Sequence, residues 1–148
     1  MKKILAAVDF SEQSRLVLDR AAELARAFDG SVDVLHVVAP EPDFVGYTTF
    51  VYPGRDERAS ELRKEKAALA EMVHGLEASG ISAKAFMKEA PTTEGVVAFA
   101  LDHGADVIVL GAHGKNLLQR MVLGSSTHDI LRHSPVPVLV VPPPSQGE

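Results

Sequence analysis

The segment GAHGKNLLQRMVLGSS, which begins at Gly111, carries the residue types that hold a phosphate. It follows a run of Val, Ile and Leu typical of a buried strand, and Gly111 and Gly114 stand where that strand stops. A glycine has no Cβ, so a ligand can approach its backbone closely. Gly124, Ser125 and Ser126 then open a predicted helix, whose first N–H groups and positive dipole end favour an anion. The spacing therefore predicts a phosphate cradle.

The same segment has a plainer interpretation, which the spacing leaves open. Gly111 and Gly114 would then be turn residues and Ser125 an ordinary N-cap, since glycine commonly punctuates loops. His113 lies between the two glycines and is a further candidate to contact a phosphate.

Other chemical signatures are absent from the sequence. No stretch reads GxxxxGK(S/T), no GxGxxG follows the first strand, and no GxSxG is present, which argues against a Walker loop, a dinucleotide site and a serine hydrolase. The six histidines include no HxxxH or HExxH pair, so no metal site is expected. His36 is expected to be a satisfied residue of the core, or one that supports the site, rather than a ligand. His128 and His133 are expected to face solvent.

The elements that must position these residues alternate along the chain. Short apolar runs predict strands, and apolar residues at helical spacing predict helices. The strands are predicted over residues 4–8, 32–38, 81–87, 107–110 and 136–141, and the helices over 11–28, 56–79, 91–103 and 125–132. Asp9 or Ser11 is expected to cap the first helix and Gly30 to stand just past its end.

This alternation predicts an α/β fold with a doubly wound parallel sheet of five strands and helices on both faces. We expect a single domain over residues 1–142 and a flexible tail over 143–148. Ligands in such folds bind beyond the carboxyl ends of the strands, where the strand order reverses. In the order 3-2-1-4-5 the first and fourth strands are neighbours, and Asp9 faces the glycine segment.

One connection is unusually long. Residues 39–54 carry four of the eight aromatic residues and three prolines. Such a connection in a compact domain is usually functional or mobile. It is either an apolar loop folded over its own helix or a lid or partner surface, and the sequence does not decide between them.

Composition narrows the function classes. The chain has 148 residues and a formal net charge of −5, which disfavours binding to nucleic acid or to an anionic membrane. It has no cysteine, which excludes disulfides and thiolate chemistry. The apolar run near the amino terminus is too short for a signal peptide or a membrane span, so a cytoplasmic location is expected.

Four segments of the chain resemble the ATP-binding branch of the universal stress protein family. That branch carries the pattern G-x2-G-x9-G-(S/T), which GAHGKNLLQRMVLGSS fits without a gap. ILAAVDFSEQS resembles the opening strand of the family, VLHVV its second strand, and ILRHSPVPVLVV its ending. The resemblance covers nearly the whole chain.

The resemblance implies a set of nucleotide-contacting positions: Ala7, Asp9, Val37, Gly111, Gly114, Gly124, Ser125 and Ser126. Asp9 would lie near the adenosine end, and the backbone of Val37 would contact adenine. The first two glycines would approach ribose and phosphates, and the Gly-Ser-Ser run would bind phosphate. Ala7 falls where relatives vary.

The implied function is binding of ATP, with Mg²⁺ held through the phosphates, by a regulatory stress-response protein. The nucleotide would switch its conformation or its oligomeric state. One alternative is a slow ATPase at the same site. Hydrolysis needs an oriented nucleophile, however, and Asp9 is the only carboxylate placed nearby, with Lys115 or Arg120 as the only cations. The other alternative is a dimeric interaction module that binds no nucleotide.

The last strand is expected to form a homodimer. It is apolar and predicted at a sheet edge, and an unprotected edge pairs readily with another chain. Pro137 and Pro142 lack N–H donors, so the pairing should involve Val138, Leu139, Val140 and Val141. The family resemblance points to the same interface. The protein partner and the stress that is sensed stay unknown.

Overall fold

The computed structural model of the chain describes residues 1–40, 55–112 and 123–144, and these contain five strands and four helices in alternation. The strands are β1 (Lys3–Ala7), β2 (Ser31–Val38), β3 (Ala83–Glu89), β4 (Val107–Gly111) and β5 (Val138–Val141). The helices are α1 (Gln13–Phe28), α2 (Arg55–Ala78), α3 (Thr92–Asp102) and α4 (Ser125–His133).

The strands form one parallel sheet in the order β3-β2-β1-β4-β5, which confirms the predicted topology. β1 is the central strand, and its Leu5 pairs with Asp33 of β2 on one side and Ile108 of β4 on the other. The chain winds outward from β1 in both directions, so the order reverses between β1 and β4. The carboxyl ends of these two strands therefore flank a crevice.

Hydrophobic side chains fill a layer on each face of the sheet. Successive residues of a strand point to opposite faces, so Ile4 and Ala6 enter the layer under α1 and α2, while Leu5 enters the layer under α3 and α4. Leu69 of α2 belongs to the first layer and Phe99 of α3 to the second. The central strands are thus covered on both faces, as their unbroken apolar runs predict.

Helix α1 begins later than its periodicity predicts. Its N-cap is Glu12, and no side chain caps it, so the expectation that Asp9 or Ser11 would do so was wrong. The Asp9 carboxylate instead accepts the N–H of Ser11 two residues ahead, at 2.9 Å. This local turn occupies the carboxylate before the helix starts.

At the other end of α1, Gly30 stands just past the helix, as predicted. Asp29, not Gly30, adopts the left-handed conformation that ends the helix, with φ of 52°. Gly30 is needed for a different reason, since a Cβ at this position would lie 2.5 Å from the carbonyl oxygen of Lys2. The glycine therefore permits β2 to start directly beside β1.

The two edge strands differ from the sequence-based expectation. β5 begins at Val138 rather than at residue 136, because Pro137 has no N–H and the Ser134 hydroxyl closes a turn with Val136. Leu139 of β5 is 39% exposed, so this strand is not fully covered.

β3 forms the opposite edge and carries Lys84, Lys88 and Glu89. It spans Ala83–Glu89 rather than the predicted residues 81–87. Its Met87 packs in the layer under α1 and α2 and its Phe86 in the other layer, so β3 is partly covered on both faces.

Two expectations fall outside the described residues. Residues 41–54 hold the aromatic stretch, and residues 145–148 are most of the predicted tail. Within the parts of the chain that the structure describes, no helix is long and apolar enough to cross a membrane.

Candidate functional site

A cavity of about 510 Å³ opens where the strand order reverses. Its walls come from the carboxyl ends of β1, β2 and β4 and from the helices α1, α3 and α4. This is the position at which doubly wound folds bind ligands, and the volume lies in the range of small-molecule sites.

The cavity brings together most of the residues predicted from the sequence. Those on its wall are Ala7, Asp9, Val37, Gly111, Gly124, Ser125 and Ser126. His113 and Gly114 lie outside the described residues, so their predicted contacts stay predictions.

One end of the cavity is formed by the N-terminus of α4. The first intrahelical hydrogen bond runs from the His128 N–H to the Gly124 carbonyl, and Gly124, the N-cap, has no side chain to act as a cap. The N–H groups of Ser125, Ser126 and Thr127 therefore have no acceptor among the described residues. Together with the two serine hydroxyls they form a donor-rich end, where the helix dipole favours negative charge.

Two hydrogen bonds hold α4 against β4. The Gly124 N–H donates to the Ala112 carbonyl at 2.8 Å, and the Thr127 hydroxyl donates to the Gly111 carbonyl, also at 2.8 Å. Thr127 is buried. These bonds fix the helix terminus at the end of the strand, on the cavity wall.

Gly111 is required by packing. A Cβ at this position would overlap the Oε1 atom of Gln13, which is 1% exposed on the first turn of α1. The absence of a side chain at Gly111 thus allows Gln13 to pack against the floor of the cavity. Because Gln13 is almost fully buried, its side chain would have to shift, toward the cavity that it lines, to make room for a larger residue.

Asp9 supplies the carboxylate of the cavity wall. Its Oδ1 accepts hydrogen bonds from the Ser11 N–H at 2.9 Å and from the Ser14 hydroxyl at 3.3 Å. Its Oδ2 has no hydrogen-bond partner among the described residues. Asp9 is half-buried, so Oδ2 is the oxygen left to accept a donor from a ligand.

His36 of β2 lies on the cavity wall and is held there by a hydrogen bond to the backbone. Its Nδ1 lies 2.8 Å from the Val8 carbonyl oxygen, and because a carbonyl only accepts, Nδ1 carries the proton and donates. This confirms the prediction of a satisfied histidine. Its Nε2 lies 3.4 Å from Glu65 Oε2, close enough for an ion pair when the ring is protonated. The geometry is too poor for a hydrogen bond, however, so Oε2 has none among the described residues. His128 and His133 are exposed, as predicted.

Part of the cavity wall is apolar. Its apolar side chains include Ala7, Val37, Val96, Leu110 and Ile130. These side chains offer contact area but no charge. The described wall contains no lysine or arginine, so its charged or chargeable groups are Asp9 and His36.

Several lining residues were not predicted from the sequence. Ser14 and Thr127 carried a weak signal, since Ser14 follows Asp9 by one helical turn and Thr127 extends the Gly-Ser-Ser run. Gln13 and Val96 carried none, because their place depends on which helices meet the sheet near Gly111.

Comparison with known proteins gives consistent matches. A model of the universal stress protein family matches residues 1–142. Universal stress protein MJ0531 of Methanocaldococcus jannaschii is 35% identical over 147 residues, which covers 98% of this chain and 84% of that protein. The structure of MJ0577 from the same organism superposes with a TM-score of 0.80 at 30% identity and covers 98% of both chains.

A nucleotide complex is also among the similar structures. The universal stress protein from Archaeoglobus fulgidus in complex with dAMP is 25% identical and superposes with a TM-score of 0.68. The match covers 95% of this chain and 96% of that one.

Proposed function

Because the chain belongs to the universal stress protein family, we propose that it binds ATP in the cavity between β1 and β4. We further propose that it is a regulatory protein of the stress response and that bound nucleotide switches its conformation or oligomeric state. A cytoplasmic location stays a prediction.

The observation that carries the proposal is that the cavity wall combines a donor-rich helix terminus with apolar side chains. The N-terminus of α4 offers three backbone N–H groups and two hydroxyls, which suit phosphates. The apolar part of the wall, which includes Val37 near the end of β2, suits a flat base. A molecule that carries both phosphates and an aromatic base matches both.

The resemblance to the family implies the individual contacts. Asp9 would accept a hydrogen bond from the nucleoside, and the backbone of Val37 would contact adenine. Gly111, His113 and Gly114 would lie along the ribose and phosphates, and the Gly124-Ser125-Ser126 run would hold the phosphates. The complex of the Archaeoglobus fulgidus relative with dAMP supports an adenine nucleotide.

Mg²⁺ would be held mainly by the phosphates. Within the described ranges no group of three or more His, Asp or Glu side chains is placed to bind a metal ion. The cavity wall there contributes one carboxylate, Asp9. The cation would therefore strengthen binding by neutralising the ligand.

The composition of the described wall favours binding over hydrolysis. Phosphoryl transfer needs a group that orients the attacking water and cations that stabilise the developing charge. Asp9 is the only carboxylate on the described wall, and Oδ1 is already used by Ser11 and Ser14. Nothing on that wall favours the ATPase alternative.

Titration calorimetry tests the proposal. We expect ATP to bind with a Kd in the micromolar range, about −8 kcal/mol, more tightly with Mg²⁺ than without, and AMP in parallel separates ATP from other adenine nucleotides. Gly114→Val should abolish binding while the fold persists, because a branched side chain would block the phosphate approach. No heat and no thermal shift at millimolar ATP would overturn the proposal.

We also propose a homodimer through β5. β5 is an edge strand of the sheet, and its Val138, Leu139 and Val140 are half-buried or exposed. Pairing two copies would cover these side chains and continue the sheet across both subunits.

A further inference from the structure

The hydroxyl of Ser14 makes a reciprocal contact with Asp9. It donates to Asp9 Oδ1 at 3.3 Å and accepts the Asp9 backbone N–H at 3.3 Å. A serine hydroxyl has one proton to give and lone pairs to accept with, so both bonds form at once. Ser14 is 3% exposed and lies in the first turn of α1, so its position is set by the helix.

The two carboxylate oxygens of Asp9 are thereby made different. Oδ1 receives the Ser14 hydroxyl and the Ser11 N–H, whereas Oδ2 has no partner among the described residues. Without the hydroxyl, one backbone donor would hold the carboxylate, and the group could rotate about its terminal bond, which is a soft torsion. The Ser14 contact restricts that rotation.

We infer that Ser14 is a positioning residue for nucleotide binding, and that it holds Asp9 with Oδ2 available to a donor group of the nucleoside. The inference rests on the proposed nucleotide site. An ionised carboxylate accepts hydrogen bonds and repels phosphate. Asp9 held in this way therefore orients the nucleotide, with its hydroxyl- and amino-bearing part at β1 and its phosphates at α4.

The test measures binding of two probes, ATP and inorganic tripolyphosphate, to the full chain and its variants. Ser14→Ala should weaken ATP binding about three- to tenfold, the worth of one hydrogen bond, and leave tripolyphosphate binding unchanged. Asp9→Asn keeps an oxygen that can accept from Ser14, but its amide NH₂, a donor, then faces the ligand in place of Oδ2. This variant should therefore weaken ATP binding more than Ser14→Ala does. In an Asp9→Ala background, Ser14→Ala should have no further effect.

Ser11→Ala is the matched control. It removes a hydroxyl from the same turn, but that hydroxyl has no hydrogen-bond partner among the described residues and Asp9 contacts only the Ser11 backbone. Thermal unfolding checks that each variant folds. If Ser14→Ala does not fold, Ser14→Cys provides a side chain of similar size with a weak donor.

The outcomes separate the two proposals. If wild type binds no ATP, both the site and this inference fail. If wild type binds ATP and Ser14→Ala binds it equally well, only the inference fails. The inference also fails if Ser14→Ala weakens tripolyphosphate binding as much as ATP binding, or if it weakens ATP binding in the Asp9→Ala background. Either result would indicate a general structural role.

Discussion

The hydroxyl of Thr127 donates a 2.8 Å hydrogen bond to the carbonyl oxygen of Gly111, and so joins the first turn of α4 to the last residue of β4. The two residues lie on the same cavity wall. The bond sets the direction in which the free N–H groups of α4 point.

Replacing Thr127 by Val should therefore affect both stability and binding. The variant keeps the shape of the side chain but removes the donor, which leaves a partly buried carbonyl without its partner, and we expect a loss of about 1 kcal/mol in the free energy of unfolding. ATP binding should weaken as well. Thr127→Ser retains the hydroxyl and should restore most of both quantities in denaturant unfolding and calorimetry. Equal losses in the Val and Ser variants would contradict this role for the bond.

A second prediction concerns Gly111. Gly111→Ala would place a Cβ against the enclosed Gln13 Oε1, so the free energy of unfolding should fall by about 1–3 kcal/mol. Gln13→Ala in the same chain should recover part of the loss. The control is Gly75→Ala in α2, where nothing lies within 4 Å of the added atom and helix propensity favours alanine by about 0.5–1 kcal/mol. Chemical denaturation measures the free energy of unfolding of wild type, the two single glycine variants and the double variant.

A third prediction uses the register of β5. The carbonyls of Pro137 and Val141 accept from Ile108 and Ala112, so by alternation the N–H groups of Val138 and Val140 face the free edge. Val140→Pro removes an edge donor without breaking the ladder to β4. We expect light scattering to show a dimer for wild type at tens of micromolar and a folded monomer for this variant.

A contrasting variant tests the same register from the other side. Leu139→Pro should lower stability, because the Leu139 N–H faces β4. A monomeric wild type, or a dimer that tolerates Val140→Pro, would refute the β5 interface.

The fourth prediction concerns the N-terminal end of the sheet. The backbone N–H groups of Lys3 and Lys2 donate to Asp106 at 2.9 and 2.8 Å and hold the pKa of its carboxyl below the ordinary value. A lowered pKa in the folded state stabilises the protein above the ordinary carboxyl pKa, and this contribution is lost as the pH falls through the folded pKa. Wild type should therefore unfold at a higher temperature than Asp106→Asn at neutral pH.

The difference between these two proteins should shrink as the solution becomes more acidic. A protonated Asp106 resembles the asparagine in charge and shape, so the two melting temperatures should converge at low pH. A difference that stays constant across the acid range would indicate that the charge of Asp106 makes no contribution.

The sequence predicted the fold and the place of the cavity because both depend on local pattern. Apolar runs indicate the buried strands. Gly111 indicates where β4 ends and Gly124 where α4 begins, and both lie on the cavity wall. The packing of Gln13 against Gly111 could not be predicted from the sequence, because it joins segments that lie far apart along the chain. The start of α1 was misplaced because Asp9, Ser11 and Ser14 all compete for the same turn, and only the tertiary structure shows which bonds form.

The unequal edges of the sheet have a consequence for how assembly would end. A two-fold dimer through β5 uses the apolar edge of each copy and leaves two β3 edges outermost. β3 carries Lys84, Lys88 and Glu89, and charged side chains on an outer strand oppose the addition of further strands. Each chain would thus have one edge strand that pairs with a second copy and one that resists pairing. The assembly would therefore stop at two subunits and would not extend into a fibre.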